Sequence, residues 1–250
     1  MNFINVLKKL VIKSQFYVSF CATLLGIFVL YEQESYQKMV AIILFLTFWN
    51  GYIFTVFHKK KDAIFINLVG FVLIIFLILK FSNLEFFIKW LIILILGTLY
   101  NSNIFNINIR EFWLVKTFYV GLVWAMSLVW LPLENFHLAW FLIIFLFTSA
   151  ITFPFEIRDL GRDPFPTLPK AIGIKNTKIL SVIFLLFSGV LGFIYLERNF
   201  AISFGITIVI SIILAIFSGK KRDDLYYSFF LESLSALPFL IYFILNLLKI

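Results

Sequence analysis

The residue types best suited to chemistry lie in one charged stretch, residues 156–170, of a sequence that otherwise carries few charges. Glu156, Asp159 and Asp163 are spaced i, i+3 and i+7, which places three carboxylates on one face if a helix continues through them. Pro164 disfavours helical conformation at the residue before it, so we expect the helix to end near Asp163. Carboxylate oxygens of this kind are suitable ligands for Mg²⁺, usually with substrate phosphates completing its shell. The other interpretation is a solvated loop of mixed charge between two membrane helices.

The composition predicts an all-α, polytopic membrane protein with one domain over residues 1–250. The chain is 62% hydrophobic, its mean hydropathy is +1.03, and long apolar runs recur from one end to the other. Its only cysteine, Cys21, excludes a disulfide within the chain and a metal site built on thiolates. The net charge of +8 comes from basic residues in short loops beside apolar runs. This distribution is typical of membrane topology, so we expect membrane lipids and no nucleic acid as partners.

Nine apolar segments have about the ~20 residues that a bilayer-spanning helix needs. Pro154 and Pro238 fall within two of them and should kink or break those helices. The predicted spans are residues 15–31, 38–57, 63–82, 84–100, 112–131, 136–155, 177–196, 199–218 and 227–248.

Lysine and arginine are distributed unequally between the connections on the two sides of these spans. Only Lys38, Lys80, Lys89, Arg198 and Lys249 fall on one side, and all the others fall on the side that also holds the N-terminus. Because positively charged loops stay in the cytoplasm, this predicts a multi-pass inner-membrane protein with a cytoplasmic N-terminus. Residues 156–170 are then cytoplasmic.

A few polar residues lie inside or at the edge of the predicted spans. Asn50 could supply an oxygen to a metal or phosphate site, or it could form an interhelical hydrogen bond. Lys116 needs an anionic partner or a route to the interface, and a diphosphate, Glu111 and the 156–170 stretch are all candidates. Glu232 is either a group that hydrogen-bonds between helices or one that reaches the interface.

Taken together, these features resemble the UbiA superfamily of intramembrane prenyltransferases, which have nine membrane helices and a cytoplasmic N-terminus. The family carries a motif after its sixth helix that often reads Asp-x-Arg-Asp-x-x-x-Asp, followed by Thr-Leu-Pro and a glycine. This chain has Glu156-Ile157-Arg158-Asp159-Leu160-Gly161-Arg162-Asp163, then Thr167-Leu168-Pro169 and Gly173. The family's first motif, Asn-x-x-x-Asp-x-x-x-Asp, is degenerate here: with its asparagine at Asn50, Phe54 and His58 occupy the carboxylate positions.

The resemblance implies transfer of a polyprenyl group from a prenyl diphosphate to a lipophilic acceptor, with magnesium as a Lewis acid for the leaving diphosphate. It assigns Glu156, Asp159 and Asp163 to one magnesium ion, with Asp159 and Asp163 as the catalytic pair, and Asn50 to the opposite wall. The alternative is a non-catalytic relative that binds isoprenoid or anionic lipid, or scaffolds a biosynthetic complex. A transporter fits less well, because transport sites usually lie near the membrane midplane. The cations that the resemblance assigns to the diphosphate are Arg110, Lys116, Arg158, Arg162 and Lys170.

Overall fold

The computed structural model describes residues 15–57, 61–101, 113–162 and 165–248, and these ranges contain helices and no strand. Two π-helical segments, Met126–Trp130 and Tyr226–Leu231, adjoin the α-helices. In chain order the α-helices are α1 Phe16–Glu32, α2 Lys38–Phe57, α3 Lys61–Phe81, α4 Leu84–Asn101, α5 Trp113–Ala125, α6 Leu138–Asp159, α7 Leu168–Tyr195, α8 Arg198–Phe217 and α9 Leu237–Leu247.

Five of these helices, α2, α3, α6, α7 and α8, are long and apolar enough to cross a membrane. Their outward faces carry large apolar side chains, such as Phe65 on α3 and Phe193 on α7, which are 67% and 81% exposed. Soluble proteins rarely expose apolar surface on this scale, so the helices belong in a lipid environment. That all nine predicted spans cross the membrane stays a prediction.

The helices pack around an aromatic core. Phe28 of α1 lies against Trp140 of α6 and against Phe200 and Phe204 of α8, with ring centroids 5.3 to 6.4 Å apart. Near the ends of α1 and α6, the buried carboxylate of Glu32 accepts a hydrogen bond of 2.7 Å from the indole N–H of Trp140. Because helices joined by short connections alternate in direction, α2, α4, α6 and α8 all end at one end of the bundle. We call this the charged end.

The prediction that the sixth helix ends near Asp163 is wrong. Helix α6 ends at Asp159, and the next residues form a turn in which the Arg162 N–H donates to the Asp159 carbonyl. The backbone leaves the helix at Leu160, whose ψ is 110°, and Gly161 follows with φ +88°, as a glycine does at the third position of a type II turn. This turn therefore ends the helix before Pro164, and Glu156 and Asp159 lie on its last turn.

Two other predicted spans have different limits in the structure. Helix α7 begins at Leu168 instead of residue 177 and changes direction at Gly173, whose φ is +83°. The predicted 227–248 span is divided into the Tyr226–Leu231 π-helical segment and α9, which has Pro238 in its first turn. The predicted break at Pro238 is thus confirmed.

Pro154 does not break its helix. It lies inside α6, which continues to Asp159. Proline has no N–H, so the carbonyl four residues earlier, that of Ala150, loses its helical donor. The buried hydroxyl of Ser181 on α7 donates to this oxygen at 2.8 Å. The neighbouring helix therefore supplies the hydrogen bond that the proline removes.

Candidate functional site

A buried ion pair links α5 and α6 close to the charged end. The Nζ atom of Lys116 lies 3.0 Å from Oε1 of Glu156, and the two side chains are only 6% and 10% exposed. The sequence allowed several partners for Lys116, and in the structure its partner is Glu156 of the 156–170 stretch. A charged pair removed from water is stable only when each charge neutralises the other, so the two residues act as a unit.

A close approach of the two helices brings this pair together. Gly121 of α5 lies against Ser149 of α6, where a Cβ on the glycine would be 2.0 Å from Oγ of Ser149 and 3.0 Å from the Phe145 carbonyl oxygen. Only glycine allows this separation. Small residues commonly allow membrane helices to approach in this way, and here the contact places Lys116 within reach of Glu156.

Arg158 forms the second ion pair of the charged end. Its Nε and Nη2 atoms donate to the two carboxylate oxygens of Asp159 at 2.7 and 3.0 Å. Its guanidinium carbon lies 5.2 Å from the ring centroid of Phe155 and 5.5 Å from that of Tyr227. Two-point bonding and ring contacts are typical of arginine and hold the planar group in a fixed orientation.

The other predicted ligands are exposed or fall outside the described residues. Arg162 lies 3.4 Å from Asp224 of the 218–225 connection, and the two side chains are 62% and 81% exposed. Lys170 is exposed in the first turn of α7. Asp163 and Arg110 lie outside the described residues, as do His58 and Glu111.

The described carboxylates do not form a magnesium site by themselves. Both oxygens of Asp159 accept bonds from Arg158, and Oε1 of Glu156 faces Lys116. Within residues 15–57, 61–101, 113–162 and 165–248, no three His, Cys, Asp or Glu side chains lie close enough to hold a metal ion. The structure therefore brings Glu156 and Asp159 to the same helix end, and each of them faces a cation.

A separate cavity of about 580 Å³ lies among α2, α3, α4 and α5. Asn50 lines it, and Glu156 and Asp159 do not, so the structure does not bring Asn50 and Asp159 to one cavity. Tyr119 and Val120 of α5 line the cavity, and neither Lys116 nor Glu156 does. Among the described residues, the lining contains no charged side chain and is mainly aliphatic and aromatic.

Asn50 makes no hydrogen bond to any described residue, so the interhelical bond, one of the two roles considered for it, is not formed among these residues. Its buried amide packs on Gly70 of α3, where the nitrogen lies 2.3 Å from the position that a Cβ would occupy. Asn67, one turn before Gly70, also lines the cavity, and its buried side-chain oxygen has no partner in the described chain either. Buried amides without partners are rare, because each costs about 1–3 kcal/mol.

Sequence reasoning missed Asn67, Asp224 and Tyr227. Asn67 had a detectable signal, since an amide inside an apolar span is costly unless it has a partner or a function. Asp224 and Tyr227 had none, because only the fold places Asp224 beside Arg162 and Tyr227 beside Arg158. Glu232, which the sequence did single out, is half-buried just after the Tyr226–Leu231 segment.

With this geometry in hand, comparison with known proteins gives no relative: no protein-family model, no curated protein and no solved structure matches the chain.

Proposed function

We propose that this chain is a UbiA-like intramembrane transferase, which moves a polyprenyl group from a prenyl diphosphate to a lipophilic acceptor at the cytoplasmic face of the inner membrane. The buried Lys116–Glu156 pair is the observation that carries the proposal. Ionisable side chains inside a membrane protein are costly and generally mark a functional site. The pair supports a site for an anionic headgroup at this end of the bundle.

The proposed diphosphate site uses the cations that the structure holds on neighbouring helix ends. Lys116 is a compact charge on α5, and Arg158 presents a planar, oriented guanidinium on α6. Both side chains are suitable donors to phosphate oxygens. In this proposal the diphosphate accepts further hydrogen bonds from the two cations while both ion pairs stay formed, so Glu156 and Asp159 hold the cations in position and keep their counter-charge. The cations then neutralise charge that develops on the departing diphosphate.

The proposal includes magnesium-dependent binding of the diphosphate, which the experiment below measures. When bound, the ion would supply positive charge to the leaving diphosphate. Glu156 and Asp159 are held by cations and do not make a metal site by themselves. We therefore assign no step to the metal.

The second candidate is a non-catalytic relative that binds isoprenoid or anionic lipid, or scaffolds a membrane biosynthetic complex. One observation favours it: the described carboxylates are already neutralised by Lys116 and Arg158. In this case the cations would bind a lipid headgroup, and no polyprenyl group would be transferred.

Binding and transfer measured on the same preparation distinguish the two candidates. The purified protein in nanodiscs is titrated with a fluorescent prenyl diphosphate analogue, with Mg²⁺ and with EDTA. The variants are Asp159→Asn and the double variant Lys116→Met/Glu156→Leu, which removes both charges and leaves no single charge buried. Arg198→Gln removes an exposed cation at the other end of the bundle and is the matched control. Transfer is followed with radiolabelled prenyl diphosphate in membranes.

We expect the double variant to bind the analogue at least ten-fold more weakly and Arg198→Gln to bind it normally. Chelation of Mg²⁺ and the Asp159→Asn change should each weaken binding as well. Equal binding by all variants, with and without Mg²⁺, would remove the site. Normal binding without any labelled product would favour the non-catalytic candidate.

A further inference from the structure

The cavity among α2, α3, α4 and α5 has features that the proposed diphosphate site does not use. Its volume of about 580 Å³ is that of a typical small-ligand site, for which about 300–1,000 Å³ is usual. The described part of its wall is uncharged, and aromatic side chains such as Trp90 and Trp124 line it. A diphosphate or another charged group would have no counter-charge there and would pay the full cost of leaving water.

Two amides in this wall have buried polar atoms without a partner among the described residues. The Asn50 nitrogen and oxygen and the Asn67 oxygen are buried and have no hydrogen-bond partner among the described residues, although both residues line the cavity. Trp90 and Tyr119 also line it, but their donors are already used by Thr47 and by the Leu96 carbonyl. Of these four side chains, Asn50 and Asn67 alone have buried polar atoms without any partner in the described chain.

We propose that this cavity binds an uncharged amphiphile whose single polar group both donates and accepts a hydrogen bond, as a long-chain alcohol does. The hydroxyl donates to the Asn67 oxygen and accepts from the Asn50 nitrogen, and the alkyl chain lies along the aromatic wall. Binding satisfies amides that otherwise stay unpaired. The inference does not depend on the proposed transferase, because the cavity and the charged end are lined by different residues.

Straight-chain probes test the cavity without engaging a prenyl site. The probes are 11-bromo-1-undecanol, its methyl ether and 11-bromoundecyl phosphate, which share one chain and differ in their polar group. Bromine quenches tryptophan at short range, so Trp90 and Trp124 report occupancy of the cavity in the protein held in nanodiscs. The Trp90→Phe/Trp124→Phe variant identifies the part of the quenching that comes from the cavity.

We expect the alcohol to bind about ten-fold more tightly than the ether, which is the equivalent of ~1.4 kcal/mol for one hydrogen bond. The phosphate should bind more weakly still. Asn67→Leu should remove the preference for the alcohol and leave binding of the ether unchanged. Asn50→Leu should weaken binding of both probes, because the ether oxygen also accepts from the Asn50 nitrogen. The matched control is Asn176→Leu on α7, because this amide is exposed and bonds the Ile172 carbonyl away from the cavity.

A second variant tests occupancy without touching the amides. Gly97 lines the cavity, and a Cβ at this position would meet no atom within 4 Å, so Gly97→Leu should fill the space without displacing a helix. It should lower the affinity for both the alcohol and the ether. The proposal is overturned if the phosphate or the ether binds as well as the alcohol, if Asn67→Leu keeps the preference, if Asn50→Leu changes neither affinity, or if Gly97→Leu has no effect. Unchanged binding in both asparagine variants would mean that Asn50 and Asn67 serve only the packing of α2 on α3.

Discussion

At the scale of single residues, two contacts show how polar groups are stabilised inside this apolar bundle: the Lys116–Glu156 ion pair and the hydrogen bond from Ser181 to the Ala150 carbonyl. Lys116 and Glu156 neutralise each other across 3.0 Å. Ser181 satisfies the Ala150 carbonyl that Pro154 leaves without a donor. In both cases the cost of a polar group is offset by one partner on a neighbouring helix, so the loss of that partner should be measurable.

The first prediction concerns the ion pair. Lys116→Met leaves the Glu156 carboxylate buried without its cation and should destabilise the protein by about 3–5 kcal/mol. Lys116→Met/Glu156→Leu removes both charges and should restore most of that stability. Thermal unfolding in detergent, followed by tryptophan fluorescence, measures both. If the double variant is as unstable as the single one, the pair is not a unit.

The second prediction concerns the proline-freed carbonyl. Ser181→Ala should cost about 1–3 kcal/mol, because it leaves a buried acceptor unsatisfied. Ser188→Ala is the matched control: its hydroxyl donates to the Ile143 carbonyl at 2.8 Å, in a part of α6 without a proline. That carbonyl keeps its helical donor, so this variant should cost less. Equal losses in the same unfolding assay would show that Pro154 leaves no special requirement at Ser181.

At the scale of helices, small residues set the distances that bring the functional side chains together. Gly121 allows α5 to approach α6, and Gly70 allows the Asn50 amide to pack on α3. The first contact positions Lys116, and the second sets Asn50 at the wall of the cavity. Helix separation therefore controls both proposed sites.

The third prediction tests the α5–α6 contact. In Gly121→Ala the new methyl group meets Ser149 and the Phe145 carbonyl, and the strain should destabilise the protein by about 1–3 kcal/mol. Adding Ser149→Gly should restore part of the loss. Gly205→Ala on α8 has open space around the new methyl and should be neutral or slightly stabilising, because alanine favours helix by up to about 1 kcal/mol. Similar unfolding temperatures for the two single variants would contradict a close contact.

The helix limits show what sequence patterns determine and what they miss. The lengths of the apolar segments predicted the limits of α2, residues 38–57, and predicted the limits of most other helices to within a few residues. They do so because a helix that spans a bilayer is defined by its length and composition. It failed at the end of α6 and at the start of α7. There, Gly161 and Gly173 adopt positive φ values, and a local choice of backbone conformation outweighs hydropathy.

The candidate site was predictable only in part, for a related reason. Glu156 and Asp159 were recognisable from their spacing, and the 156–170 stretch was among the possible partners of Lys116. Which cation faces which carboxylate depends on the α5–α6 separation, which no local pattern encodes. The cavity was not predictable either, since it is a gap among four helices whose sequences are all apolar.

At the scale of the whole molecule, the distribution of charge predicts a defined orientation in the membrane. Arg162, just after the end of α6, lies beside the 218–225 connection, as its contact with Asp224 shows. Lys170 and Arg198 are exposed near opposite ends of α7. These two positions should therefore face opposite sides of the bilayer.

The fourth prediction follows from this arrangement. Lys170→Cys and Arg198→Cys are made in a Cys21→Ser background and treated in intact cells with a thiol reagent that does not cross the inner membrane. Arg198→Cys should be labelled, and Lys170→Cys should be labelled only after the membrane is permeabilised. Labelling of both positions from outside would contradict the proposed topology.

The hydrogen bond from Ser181 of α7 to the Ala150 carbonyl of α6 also has a consequence for how the chain enters the bilayer. Helix α6 is synthesised first, and the serine that supplies the missing bond lies 31 residues further along the chain. During that interval a bare peptide oxygen would face hydrocarbon. Insertion of α6 and α7 as one hairpin avoids this exposure, so the two helices should leave the translocation channel together.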